Sequence, residues 1–151
     1  MPTINPEYVS RLKRSVETAA YPSLLGFRMS EISDDHCLIE LTIEARHFQP
    51  FGIVHGGVLA TLIDTATFWA GFQRLPEDTG LVNVDLKLNY LKAVTGGHLV
   101  AEGRCLRAGR QVSYTEASVR DARGDLVAHG TSTLMALPGK GLQLGVPKFL
   151  P

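Results

Sequence analysis

The sequence contains few cysteines and no excess of charge of either sign. Only two cysteines, Cys37 and Cys105, occur in 151 residues, and they lack the spacing of a metal-binding pair. We therefore expect two reduced core thiols rather than a disulfide framework or a zinc site. Lys plus Arg and Asp plus Glu number 15 each. This balance argues against a general binder of nucleic acid or of membrane surfaces, although a local basic cluster could still hold a phosphate group.

The sequence also lacks the apolar core of a signal peptide in its first 15 residues, which predicts a cytoplasmic protein. The most apolar stretch, residues 56–73, is marginal in length for a membrane span and contains Asp64, three threonines and several glycines. We interpret this stretch as a core helix. The length of 151 residues and the hydrophobic content of 44% fit one globular domain.

The remaining pattern predicts an α+β domain. Asn5-Pro6 is a favourable helix start, and the apolar stretch forms a second helix from about 56 to 74. Because the predicted strands do not alternate with helices, we expect an antiparallel sheet with the apolar helix against its concave face. The Gly- and Pro-rich tail, 138–151, is expected to be a surface arm or to be partly disordered. The six strands are predicted at 24–33, 36–45, 82–90, 98–107, 111–121 and 125–136.

Asp64 is the only charged side chain in the apolar stretch. A helix that is apolar on all sides is buried, and an unpaired buried carboxylate is costly or has a raised pKa. Asp64 is therefore either paired with a group outside the stretch or kept for chemistry. By itself, a lone Asp in an apolar helix is more often a dimer contact or a hydrogen-bond hub.

Two glycines, Gly56 and Gly57, stand where the apolar helix begins. Free N–H groups and the positive end of the helix dipole at this position could form an oxyanion hole, with Gln49 as a second donor. Asp64 lies about two turns further along the helix, too far to act beside Gly56. A carboxylate from a second, antiparallel copy of the helix could reach it. The open sheet edges and the apolar helix also favour a homodimer.

The segment HFQPFGIVHGGVLATLIDTA resembles the signature of the hotdog-fold acyl-CoA thioesterases, in the phenylacetic-acid-pathway (PaaI-like) group. The pattern is Asn or Gln, then G-x-x-HGG, then an acidic residue nine positions after the His. It is met here by Gln49, Gly52, His55-Gly56-Gly57 and Asp64. The similarity covers roughly 24–136. It implies a single hotdog domain over 1–151, acyl-CoA hydrolysis without metal or cofactor, and a homodimer or homotetramer.

The resemblance also implies roles for individual residues. The Gly56 N–H and the Gln49 side chain polarise the thioester carbonyl, and Asp64 of the other subunit is the nucleophile or the base for a water. His55 orients the loop and the helix start. Asn83 stands where some relatives carry a serine that holds the water. Phe68 replaces a Ser or Thr of the aryl-thioesterase relatives and is interpreted as a wall of the acyl pocket.

Further candidates for substrate binding lie around this motif and beyond it. Arg107 and Arg110 flank Gly109 and could hold coenzyme A phosphates through charge-assisted hydrogen bonds. The other candidates are Gly57, Tyr90 and Lys92.

Two alternatives to the thioesterase remain open. One is a hotdog-fold hydratase or dehydratase, and the other is a non-catalytic acyl-CoA-binding module. The sequence does not decide the acyl group, the choice between coenzyme A and an acyl carrier protein, the role of Asp64 as nucleophile or base, or dimer against tetramer.

Overall fold

A six-stranded antiparallel sheet curves around one long helix in the computed structural model, which describes residues 2–151. The strand order is β1-β2-β4-β5-β6-β3, so β1 and β3 are the edge strands. This architecture confirms the predicted α+β fold. The elements are α1 (Pro6–Thr18), α2 (Ala20–Leu25), β1 (Arg28–Ser33), β2 (His36–Thr42), a single 3₁₀ turn (Ala45–His47), α3 (Gly56–Phe72), β3 (Thr79–Tyr90), β4 (His98–Arg107), β5 (Val112–Arg120) and β6 (Leu126–Pro138).

Helix α3 packs closely onto the concave face of the sheet. Its inner residues Leu62, Ile63 and Ala66 are fully buried. Gly103 on β4 permits the close approach, because a Cβ built there would lie 2.1 Å from the carbonyl oxygen of Ala66. The core is therefore a layer between the inner face of α3 and the sheet, and the outer face of α3 is left for other contacts.

The N-terminal helix forms as its sequence predicts. The Asn5 side chain accepts a hydrogen bond of 2.9 Å from the N–H of Glu7, and a proline occupies the first turn. Tyr8, Leu12 and Val16 are buried on one side of α1. The helix covers part of the core near β1.

The predicted first strand, 24–33, is wrong at its start. Residues 20–25 form the short helix α2, which ends at Gly26 with φ of 82°. This left-handed conformation is natural for glycine, and β1 begins two residues later at Arg28. The other strand ends differ from their predicted positions by three residues or fewer, and α3 ends at Phe72 rather than at 74.

The C-terminal segment, 139–151, is not the loose surface arm that its composition suggested. Its backbone bonds to the N-terminal segment, where the N–H of Asn5 donates to Lys148 O at 2.9 Å and the N–H of Leu150 donates to Thr3 O at 2.8 Å. The Lys148 side chain is only 1% exposed. Hydrogen bonding and burial, rather than composition, therefore fix this segment.

No helix within residues 2–151 is both long and apolar enough to cross a membrane.

Candidate active site

The loop before α3 is a tight, ordered hairpin. Phe48 and Val54 form a bridge, the N–H of Gln49 donates to Ile53 O at 2.9 Å, and the turn contains Gly52 with φ of 78°. The buried imidazole ring of His47 holds the loop in place. It is fully buried, its Nδ1 accepts from the N–H of Glu44, and its Nε2 lies 2.7 Å from the carbonyl of Leu25.

His55 caps helix α3. Its Nδ1 accepts a hydrogen bond of 2.8 Å from the N–H of Gly57. The N–H of Gly57 is therefore occupied, and the predicted contact of Gly57 with substrate is not supported at this atom. The N–H of Gly56 has no hydrogen-bond acceptor within residues 2–151. It remains available at the positive end of the helix dipole.

Gln49 is held by its own loop. Its Oε1 accepts a hydrogen bond from the N–H of Phe51, whereas its Nε2 has no partner within the described part of the chain. The carbonyl end of this amide is thus fixed and the NH₂ end is free to donate. This is the orientation that a donor to a substrate oxygen requires.

Asp64 is paired with Asn83, which was one of the two outcomes that the sequence left open. The Nδ2 of Asn83 on β3 donates to Oδ1 of Asp64. Desolvation raises the pKa of Asp64, and the Asn83 hydrogen bond opposes that shift. The Oδ1 of Asn83 is buried and has no partner in residues 2–151. A carboxylate and an unsatisfied acceptor therefore lie side by side.

The side chain of Asp64 is exposed within a single chain. It lies on the outer face of α3, where Thr61, Thr65, Phe68 and Trp69 are only partly buried. The helix is apolar around most of its circumference, but one chain covers only the inner part.

The outer face of α3 forms one wall of a groove of about 630 Å³, which we call the Asp64 groove. Phe68 lies in its wall, where the sequence placed a wall of the acyl pocket. The Tyr21 hydroxyl and Thr61 Oγ1 lie 2.7 Å apart across the groove. The sequence did not predict Tyr21 at this groove, because α2 reaches the groove only after folding. Trp69 lies on α3 one position after Phe68 and also lines the groove. Its lining consists of Ser15, Val16, Ala19, Tyr21, Pro22, Phe27, Ala60, Thr61, Asp64, Thr65, Phe68, Trp69, Leu86 and Leu142.

Gly56 and Asp64 do not meet within one chain. Asp64 follows Gly56 by eight positions in the α-helix, which corresponds to about 12 Å along the axis. The structure therefore brings together Asp64, Asn83 and Phe68, and it brings the Gly56 N–H to a separate position at the start of the same helix.

Tyr90 and Lys92 have different surroundings. A Cβ built on Gly56 would lie 3.1 Å from the Tyr90 ring, so Tyr90 lies against the helix start. Lys92 Nζ is bonded to Asp121 at 2.7 Å and to Asp125 at 2.6 Å, and these carboxylates raise its pKa. Two carboxylates already pair with this ammonium group, and its role in substrate binding stays a prediction.

Arg107 and Arg110 lie at the other end of the molecule. Both are exposed, and Arg110 lines a pocket beside the C-terminal end of α3 together with Gly71 and Gln73. They are therefore not grouped with Gly56 of the same chain. No cluster of three or more His, Cys, Asp or Glu residues that could hold a metal ion occurs in residues 2–151.

The chain is similar to known proteins in sequence and in fold. The family described as Thioesterase superfamily matches residues 51–128, a range that contains Gly56, Asp64 and Asn83 and begins two residues after Gln49. The proofreading thioesterase EntH of Klebsiella pneumoniae is 35% identical over 85 residues, which is 56% of this chain and 62% of that protein.

Two solved structures superpose on most of the chain. A thioesterase of Haemophilus influenzae does so with a TM-score of 0.81 at 26% identity, covering 91% of this chain and 96% of that one. A conserved protein of Pseudomonas aeruginosa gives a TM-score of 0.77 at 31% identity, covering 82% and 98% of the two chains. These similarities confirm the predicted hotdog fold.

Proposed function

Because the chain belongs to the thioesterase superfamily, we propose that it hydrolyses an acyl-coenzyme A thioester to a free carboxylic acid and coenzyme A. Family membership confirms the predicted enzyme class, a thioester hydrolase. Coenzyme A as the thiol, the roles of the residues and the assembly belong to our proposal.

The observation that carries the proposal is the pairing of Asp64 with Asn83 beside an apolar groove. A carboxyl group with a raised pKa is a better proton acceptor than an ordinary surface carboxylate. The unpartnered Oδ1 of Asn83 can accept a hydrogen bond from a water molecule next to Asp64. We therefore assign Asp64 as the general base and Asn83 as the residue that positions the water.

The reaction needs few groups because a thioester is already activated. Asp64 takes a proton from the water, and the water oxygen forms a bond to the thioester carbon. The resulting oxyanion is stabilised by the free N–H of Gly56 and the free Nε2 of Gln49. When the tetrahedral intermediate collapses, the carbon–sulfur bond breaks and the proton passes to the departing thiolate. Phe68 and the apolar side chains of the Asp64 groove contact the acyl group.

The separation of about 12 Å between Gly56 and Asp64 leads us to propose a composite site. In a homodimer with antiparallel α3 helices, the Gly56 of one subunit faces the Asp64 of its partner. Two further features support this arrangement. The outer face of α3 is incompletely covered, and the edge strand β3 exposes Val82 and Val84.

A hydratase or dehydratase is disfavoured by His55. Such a reaction needs a histidine available for proton abstraction beside a carbonyl. Here the Nδ1 of His55 is used to cap α3, and no carboxylate within residues 2–151 pairs with this ring.

The exchange Asp64→Asn tests the assignment of the base. The amide is isosteric, so the fold should persist, while the rate of thiol release from acyl-CoA should fall about 10²–10⁴-fold. Short, long and aromatic acyl-CoAs should be compared in the same assay to find the acyl group. The matched control is Glu77→Gln, an exposed carboxylate beyond the far end of α3, which should leave turnover unchanged. Wild-type turnover in folded Asp64→Asn protein would remove Asp64 from the mechanism.

Mixed dimers test the composite site. One parent carries Gln49→Ala with Gly56→Pro, which removes both oxyanion donors, and the other parent carries Asp64→Asn. In a heterodimer, one site receives all the defects and the other receives none. After co-expression, the purified heterodimer should therefore recover about half of the activity of a wild-type dimer. Heterodimers that remain inactive, although both parents fold, would show that each site is built within one chain.

A further inference from the structure

A second pocket lies at the C-terminal end of α3 and shares no residue with the Asp64 groove. Its volume is about 560 Å³, and we call it the Gln73 pocket. Both chain termini contribute to it, because the C-terminal segment folds back against residues 2–5. The residues that matter for the argument are Gln73, Leu75, Pro76, Arg110, Pro138 and Phe149.

Gln73 is the unusual member of this lining. Its side chain is fully buried, yet neither Nε2 nor Oε1 has a hydrogen-bond partner in residues 2–151. Buried amides are almost always satisfied, because a donor or acceptor that leaves water without a new partner destabilises the fold. The amide lies at the wall of a pocket and could pair with a ligand that presents both an acceptor and a donor.

The other walls suggest the shape and the charge of that ligand. Pro76, Pro138 and Phe149 present flat apolar surfaces, which suit a planar ring. Arg110 is exposed at the pocket and forms no ion pair in the described residues. Arg74 is already bonded to Asp35, and Asp34 adds a carboxylate to the lining. An anionic group of the ligand therefore belongs near Arg110.

We propose that the Gln73 pocket binds an adenine nucleotide moiety. The adenine edge offers N7 as acceptor and the N6 amino group as donor, which is the pair that a glutamine amide complements. The phosphate group then binds Arg110 through charge-assisted hydrogen bonds. The moiety has two possible sources. It is the nucleotide end of the acyl-CoA substrate, a case that rests on the proposed function, or it is a free adenine nucleotide that binds as an effector.

Calorimetric titration with ADP and with adenosine 3′,5′-bisphosphate tests the binding itself. Wild-type protein should bind at least one of the two, and GDP should bind more weakly because guanine offers two acceptors where adenine offers an acceptor and a donor. Gln73→Met keeps the side-chain length and removes the amide, so binding should weaken about 10- to 100-fold. The matched control is Gln111→Met, an exposed glutamine outside the pocket, which should bind like the wild type.

A second variant keeps the test independent of the buried position. Arg110→Gln changes an exposed side chain and should weaken binding of the phosphorylated probes, while binding of adenosine should not change. This result is expected even if Gln73→Met fails to fold.

Two thioesters that carry the same acyl group distinguish the sources. One is the coenzyme A thioester, and the other is the N-acetylcysteamine thioester, which has no nucleotide. If the nucleotide belongs to the substrate, Gln73→Met raises KM for the coenzyme A thioester only. If the nucleotide is an effector, the variant loses ADP binding and both KM values stay unchanged.

The proposal is overturned if wild-type protein binds neither ADP nor adenosine 3′,5′-bisphosphate, or if Gln73→Met and Gln111→Met weaken binding equally. A crystal structure grown with ADP that shows only an ordered water at the Gln73 amide would overturn it as well. Failure of the thioesterase proposal is seen separately, because wild-type protein would then release no thiol from either thioester even though it binds nucleotide.

Discussion

The two ends of helix α3 differ in how their unpaired backbone groups are hydrogen-bonded. Every helix leaves unpaired N–H groups at its start and unpaired carbonyls at its end. At the start, the N–H of Gly57 donates to Nδ1 of His55, and the N–H of Gly56 has no acceptor in residues 2–151. Beyond the last turn, Lys148 donates to the carbonyls of Phe72 and Leu75 at 2.9 and 2.8 Å.

The difference in hydrogen bonding matches the role that we assign to each end of the helix. The open N–H at the start can bind a developing oxyanion only because no protein group occupies it. The carbonyls at the other end are closed by a lysine 76 and 73 residues away in sequence. The ammonium group also lies 4.3 Å from the centre of the Phe72 ring. The start of α3, which we call the open end, therefore carries the proposed chemistry. The other end, which we call the closed end, holds the C-terminal segment against the core.

The largest effect expected from this comparison is at the open end, with Gln49→Ala. This change removes one of two proposed donors to the oxyanion and should lower kcat about 10²–10³-fold. The measurement is thiol release under saturating acyl-CoA, with the exposed Gln143→Ala as control. A rise in KM with unchanged kcat would show that Gln49 binds the ground state instead.

At the closed end, Lys148→Met should affect stability rather than chemistry. The methionine retains an unbranched side chain of similar length but cannot donate to the two carbonyls. We expect the free energy of unfolding to fall by about 1–3 kcal/mol, because buried acceptors lose their partner. Chemical denaturation measures this loss. Lys140→Met, an exposed lysine in the same segment, should change stability by less than about 0.5 kcal/mol. Equal stability of the two variants would contradict a structural role for Lys148.

The loss of unfolding free energy caused by Lys148→Met should also depend on pH. Burial lowers the pKa of Lys148 to about 8 from 10.5, while Asp34 and Glu77 partly oppose the shift. Between these pH values the unfolded chain binds more protons than the folded one, so the contribution of Lys148 to stability rises with pH. The difference between wild type and Lys148→Met should therefore grow from pH 8 to pH 10, by at most about 1.4 kcal/mol per pH unit. Tyr8, whose pKa burial raises to about 12, is present in both proteins and cancels.

The same comparison explains what the sequence could predict. The start of α3 is built from neighbouring residues, so the glycines there were visible as a local pattern, as was the Asn5 cap of α1. The role of His55 at the helix start came only from the family resemblance. The cost of an isolated carboxylate predicted that Asp64 is either paired or kept for chemistry, and Asn83 had been singled out only through the family resemblance.

The closed end involves residues that are distant in sequence. Lys148 lies in a Gly- and Pro-rich tail whose composition indicates a loop and says nothing about where that loop packs. Gln73 was only the last residue of an apolar run. Helix α2 was also missed, because its six residues are too short to show a helical period, and only Gly26 marks its end. Local propensity predicts caps and strands, whereas long-range burial decides which polar group finds a partner.

The smallest expected effect concerns His55 at the open end. His55→Ala removes the acceptor for the N–H of Gly57, and the loss of a helix cap typically lowers the free energy of unfolding by about 0.5–2 kcal/mol. His55→Asn provides the matched comparison, because asparagine is a favoured cap and can accept from the same N–H. If His55 only orients the helix start, His55→Asn should recover stability and most of kcat. If it transferred a proton, both variants would be equally inactive although only one had lost its cap. Parallel denaturation and thiol-release measurements on the two variants therefore separate capping from catalysis at this position.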